Sequence, residues 1–88
     1  MKLRPGVIVT EAGGEYIAVA SGDAGKHFKG MIKMNKTTAF IVDVLKNGAT
    51  EDEVVAAMCE KYDVAPETAR ESAERIIASL RGADLITD

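Results

Sequence analysis

The sequence predicts an α+β domain, a three-stranded antiparallel sheet followed by a three-helix bundle. Three observations carry that prediction. Two strand-like runs, Val7 to Ala12 and Glu15 to Ala20, flank Gly13-Gly14, a two-residue turn signal whose glycines tolerate the positive φ that tight hairpins need. Within Gly30 to Leu45, GMIKMNKTTAFIVDVL, the apolar pattern changes at Asn35 from strand-like to helical spacing. Beyond that hinge, three helical segments are separated by short connections rich in cap and stop residues. Strands first and helices after is the order of an α+β layer pair, and no internal repeat competes with it.

Pro5-Gly6 introduces the first strand, and Tyr16 is the aromatic of the second. Ser21 to Lys29 reads as a loop with Phe28 as its one large apolar anchor. A lone hairpin is marginal in water, so a third strand is expected at Gly30 to Met34, with Ile32 and Met34 toward the core and Met31 and Lys33 outward.

Asn35 suits the N-cap of a helix over Lys36 to Lys46, where Phe40/Val44 and Ile41/Leu45 stand four apart on one face. Asn47-Gly48 ends it. Thr50 and Glu53 form a capping box for a second helix with the stripe Val54, Val55, Met58, Cys59 and Tyr62. Asp63 to Ala65 leads to a third helix opened by Pro66, where a missing N–H is harmless. Glu67 and Arg81 complement the two ends of its dipole. Ala69, Ala73, Ile76, Ile77 and Leu80 are its apolar stripe, Gly82 its end, and Leu85 with Ile86 a short apolar clasp.

The chain's 88 residues, 47% hydrophobic and 28% charged, fit one globular domain over 1–88. A stability of roughly 5 kcal/mol is expected at this size. No apolar run reaches the length of a membrane span, and MKLRPGVIV lacks a signal-peptide core, so a cytoplasmic location is expected. The lone Cys59 agrees with a reducing compartment. The net charge of −3 is divided unevenly. Up to Gly48, seven basic residues outweigh four acids; from Ala49 on, ten acids outweigh four basic residues. That split concerns partners rather than fold.

Catalysis has little support. His27 has no Cys, Asp or Glu at ligand or triad spacing and reads as a solvated loop residue. Cys59 falls on a buried stripe, as a small core residue does. Glu51, Asp52 and Glu53 point in different directions from one helical turn, and acids belong at a helix N-terminus. The glycines lack the context of a phosphate loop. No catalytic residue, metal or cofactor is expected.

Three helices beside a small sheet also fit a winged-helix DNA-binding regulator. Its recognition helix should be basic, whereas the third helix sets Glu67, Glu71 and Glu74 against Arg70, Arg75 and Arg81. The charges therefore disfavour nucleic acid. A protein-interaction module is the other class. The third strand ends the sheet and offers an edge, where Lys29 and Lys33 suit either of two roles. They can protect the edge from aggregation, or help recruit a peptide that adds as a strand.

GMIKMNKTTAFIVDVL, then NGATEDEVVAAMCEKYDVAPE, then a third helix ending in LRGADLI, closely resembles the PqqD-like family over essentially the whole chain. These are RiPP recognition elements, the peptide-recognition domains of pathways that modify ribosomally made peptides. The resemblance implies a winged-helix-like fold and a non-catalytic peptide chaperone. The leader of a precursor peptide would add along the third strand against the third helix. It would then be presented to a modifying enzyme, often a radical S-adenosylmethionine (radical SAM) enzyme; in the founding pathway the product is pyrroloquinoline quinone.

Carried over by position, the peptide-binding residues would be Lys29, Gly30, Met31, Ile32, Lys33 and Met34 on the strand side. On the helix side they would be Arg70, Ala73, Glu74, Ile77 and Arg81. Ile77 fits the buried stripe equally well. Two positions depart from the family pattern: Thr38 replaces a small residue, and Ala65 replaces an acidic or polar cap, weakening that helix start by about 1 kcal/mol. The exposed edge also leaves room for a homodimer.

Overall fold

The computed structural model describes residues 1–26 and 30–87, apart from the side chains of Asp23 and Ala24. His27, Phe28, Lys29 and Asp88 lie outside the described residues. So, therefore, do the expected loop anchor Phe28 and one expected cation of the docking edge, Lys29.

In chain order the elements are β1 (Lys2–Leu3), β2 (Val7–Ala12), β3 (Glu15–Ala20), β4 (Met31–Met34), α1 (Lys36–Leu45), α2 (Glu51–Tyr62), α3 (Pro66–Gly82) and β5 (Ile86–Thr87). Strands β2, β3 and β4 form one antiparallel sheet in that order, and the three helices follow it, as the apolar patterns predict. Gly13 and Gly14 both take positive φ, 60° and 83°, so Ala12 closes the hairpin directly against Glu15.

Two boundaries differ from expectation. Gly30 is not part of β4: its φ of 84° is a left-handed conformation that no strand residue adopts, and pairing begins at Met31. The segment Gly22–Lys26, expected as open loop, winds into a 3-10 helix. Side-chain alternation in β4 is as expected, with Ile32 and Met34 half-buried and Met31 and Lys33 exposed.

Each helix begins where a short polar side chain can take up a free N–H, with one exception. Asn35 Oδ1 accepts from the Thr38 N–H at 2.8 Å. The Thr50 hydroxyl accepts from the Glu53 N–H at 3.1 Å while the Thr50 N–H donates to Glu53 Oε1 at 2.9 Å, completing the capping box. Ala65 heads α3 with extended backbone and no side-chain cap, leaving Pro66 to set the first turn.

The core lies among the helices and under the sheet. Ile41, Leu45 and Val54 are fully buried, and Met58, Ala69, Ala73, Ile77 and Leu80 join them. Each large aliphatic side chain here contributes about 1.5–3 kcal/mol. Leu85 and Ile86 are buried as the apolar clasp, but by means the sequence did not announce. Ile86–Thr87 pairs antiparallel with Lys2–Leu3 as a second, two-stranded sheet. Beside it, the Arg4 N–H donates to Leu85 O at 2.8 Å, and the Arg4 guanidinium grips Asp84 at 2.7 Å.

Candidate functional site

The register fixes which main-chain groups β4 offers to its surroundings. The Ser21 N–H donates to Gly6 O at 2.8 Å at the open end of the β2–β3 ladder. Hydrogen-bonded pairs alternate along an antiparallel ladder, so Ile8–Val19, Thr10–Ile17 and Ala12–Glu15 are the bonded pairs. β3 therefore turns the main-chain groups of Tyr16 and Ala18 toward β4, where their partners are Met34 and Ile32. Met31 and Lys33 consequently aim their N–H and C=O groups at the outer edge. No strand among the described residues pairs with that edge.

A groove of about 290 Å³ runs along this strand. The sheet side consists of Ile32, Lys33, Met34 and Asn35, and α3 supplies Arg75, Ile76, Ser79, Leu80 and Ala83; Thr38 and Leu85 complete the lining. The α3 residues recur at helical spacing on one side of the helix. Small side chains at Ser79 and Ala83 keep the groove open, Ile76 gives it an apolar wall, and its charged residues among those described are Lys33 and Arg75. Lys33 Nζ lies 3.8 Å from Glu15 Oε2, with the two side chains 75% and 60% exposed, so this pair holds the cation only weakly. Met31, 70% exposed, stands on the outer face of the same strand.

The expected site residues are thus divided. Met31, Ile32, Lys33 and Met34 lie together in the edge strand, with Gly30 at its entry. Arg70, Ala73, Glu74, Ile77 and Arg81 do not line the groove. Ala73 and Ile77 are buried in the core, as the alternative reading of Ile77 had it. Arg70 turns to the start of α2, donating to Glu51 Oε2 at 2.7 Å and Asp52 Oδ1 at 2.6 Å. Those bonds, the one to Asp52 foremost, raise its pKa. Glu74 and Arg81 are exposed on that same side of α3 and do not line the groove.

What positions α3 in this way is packing: its stripe Ala69, Ala73, Ile77 and Leu80 is buried, and the flank next to that stripe faces the sheet. Arg75, Ser79 and Ala83 escaped the sequence reading. Their signal was the half-buried Ile76 with small residues three and seven positions on, a second, narrower face beside the main stripe.

The arrangement offers unpaired main-chain groups, an apolar wall and two cations. This is equipment for holding an extended peptide. Among the described residues no group of three His, Cys, Asp or Glu is placed to hold a metal ion.

The family model described as Coenzyme PQQ synthesis protein D (PqqD) matches residues 6–86. Two solved structures have a similar fold. TbiB1 in complex with the TbiA(beta) leader peptide superposes with a TM-score of 0.75 at 20% identity, with 100% of both chains covered. Lasso peptide synthetase B1 complexed with the leader peptide gives 0.73 at 22% identity, over 99% of this chain and 96% of that one. Comparison with curated proteins finds no match.

Proposed function

We propose that this chain, which belongs to the PqqD family, is a non-catalytic adaptor for a precursor peptide. The leader segment adds as a strand to the outer edge of β4 and lies in the groove against α3. The adaptor then presents the peptide to a modifying enzyme of the radical SAM type. The observation that carries this reading is the outward main chain of Met31 and Lys33 beside a groove whose charged residues, among those described, are both cations. The two similar structures, each described as bound to a leader peptide, support it.

On this reading the docking residues are Met31 and Lys33 for the main chain, Ile32, Met34 and Ile76 for apolar side chains, and Lys33 and Arg75 for carboxylates. The leader segment is acidic where it crosses them, and its binding weakens as salt rises. The test is Lys33→Pro. Proline removes an N–H that faces outward, so the sheet keeps its own bonds and the folded chain persists. Affinity for a cognate leader peptide falls by up to about tenfold, the loss of one interfacial main-chain bond. Unchanged affinity in isothermal titration would refute this register.

A further inference from the structure

The sheet has a second open edge. By the same alternation, β2 turns the main-chain groups of Val7, Val9 and Glu11 away from β3. The Val7 N–H is bonded back to Arg4 O at 3.2 Å, and no strand among the described residues pairs with the rest. Across from this edge runs one face of α1, with Lys36, Phe40, Asp43 and Lys46 at helical spacing. Between them lies a groove of about 430 Å³, larger than the 290 Å³ groove beside β4.

Its chemistry is one-sided. Among the described residues Lys36, Lys46 and Lys61 line it against the single carboxylate of Asp43. Lys61 Nζ stands 5.6 Å from the centre of the Phe40 ring, which in turn meets Tyr62 edge to face at 5.6 Å. The Tyr62 hydroxyl is buried at this wall with no hydrogen-bond partner among the described residues. Glu11, the acid of the same strand, does not line the groove. On the outer face of β2, Ile8 is 48% exposed.

Free main-chain groups call for an extended chain, an apolar floor for its alternate side chains, and three cations for its carboxylates. We propose that the β2–α1 groove is a second strand-accepting site, occupied by an acidic, extended segment of a protein partner. Its carboxylates are set against Lys46 and Lys61. A second copy of this chain fits the edge poorly, because pairing β2 with β2 would bring two lysine-lined rims together. The inference stands whether or not β4 takes a leader peptide.

The test titrates the ¹⁵N-labelled full chain with two capped peptides of equal length, one alternating Glu with Val and the other Lys with Val. The glutamate peptide shifts the amides of Val9, Phe40 and Tyr62, and the lysine peptide does not. Lys46→Glu combined with Lys61→Glu weakens the glutamate peptide about tenfold, two attractions having become repulsions. Both lysines are exposed, so the folded chain persists, and a thermal melt checks it. The proposal is overturned if shifts are confined to Lys33 and Ile76, if the two peptides act alike, or if neither binds. It is equally overturned if sedimentation shows a second copy on the edge.

Discussion

The two tyrosines place their hydroxyls in contrasting circumstances. Tyr16 stands directly across from Glu11, and its hydroxyl interacts with that carboxylate. The hydrogen bond first, and the carboxylate's charge second, raise the Tyr16 pKa above its ordinary value of 10.0. A folded-state pKa above the unfolded one means that this bond supports the fold below about pH 10. That support is lost as pH rises through the raised value. A spectrophotometric titration should show one tyrosine ionising late, and Glu11→Gln should bring it back toward its ordinary value. Tyr62 is the opposite case, since its hydroxyl is buried without a partner among the described residues. Tyr62→Phe keeps the ring against Phe40 and removes a desolvated polar group, so urea melts should show stability unchanged or raised by up to about 1 kcal/mol. Both tyrosines could be placed on their elements from spacing alone. What their hydroxyls meet depends on neighbours across a strand or in another helix, and no local pattern encodes that.

At the scale of elements, the helix starts were legible because caps are local. Asn35, Thr50 with Glu53, and the uncapped Ala65 all behave as their side chains dictate. Ala65→Asp should therefore stabilise the chain by about 0.5–1 kcal/mol, measured as a raised midpoint in urea with an unchanged slope. No gain would mean that Pro66 already satisfies this end. The outward main chain of Lys33 follows from hairpin register, which Gly13-Gly14 set in advance. The wall of α3 was less legible. Arg70, Glu74 and Arg81 share one side of the helix and Arg75, Ser79 and Ala83 another, and the choice between them rests on how α3 is rolled against the sheet. Two-residue strands such as β1 and β5 carry no periodicity at all, so their pairing could not be read.

For the whole molecule, the clasp between β1 and β5 closes the chain on itself below the helices. Leu3 is buried in the same core as Leu45 and Leu80, and Arg4 holds Asp84 alongside. Leu3→Ala should cost about 2–4 kcal/mol, a large share of the stability expected at this size, and calorimetry should show it as a markedly lower Tm. Among the described residues no strand pairs with either outer edge of the three-stranded sheet, and each edge faces a helix across a groove: β4 against α3 and β2 against α1. A peptide-binding adaptor needs this kind of surface, one that receives an extended chain. Leader docking on β4 is tested most directly by amide hydrogen exchange of the full chain with and without a cognate leader peptide. The Lys33 N–H, which faces outward, should change from fast to protected when the peptide binds, while that of Ile32, already bonded to β3, should not change. Bound leader with Lys33 still exchanging freely would contradict the account.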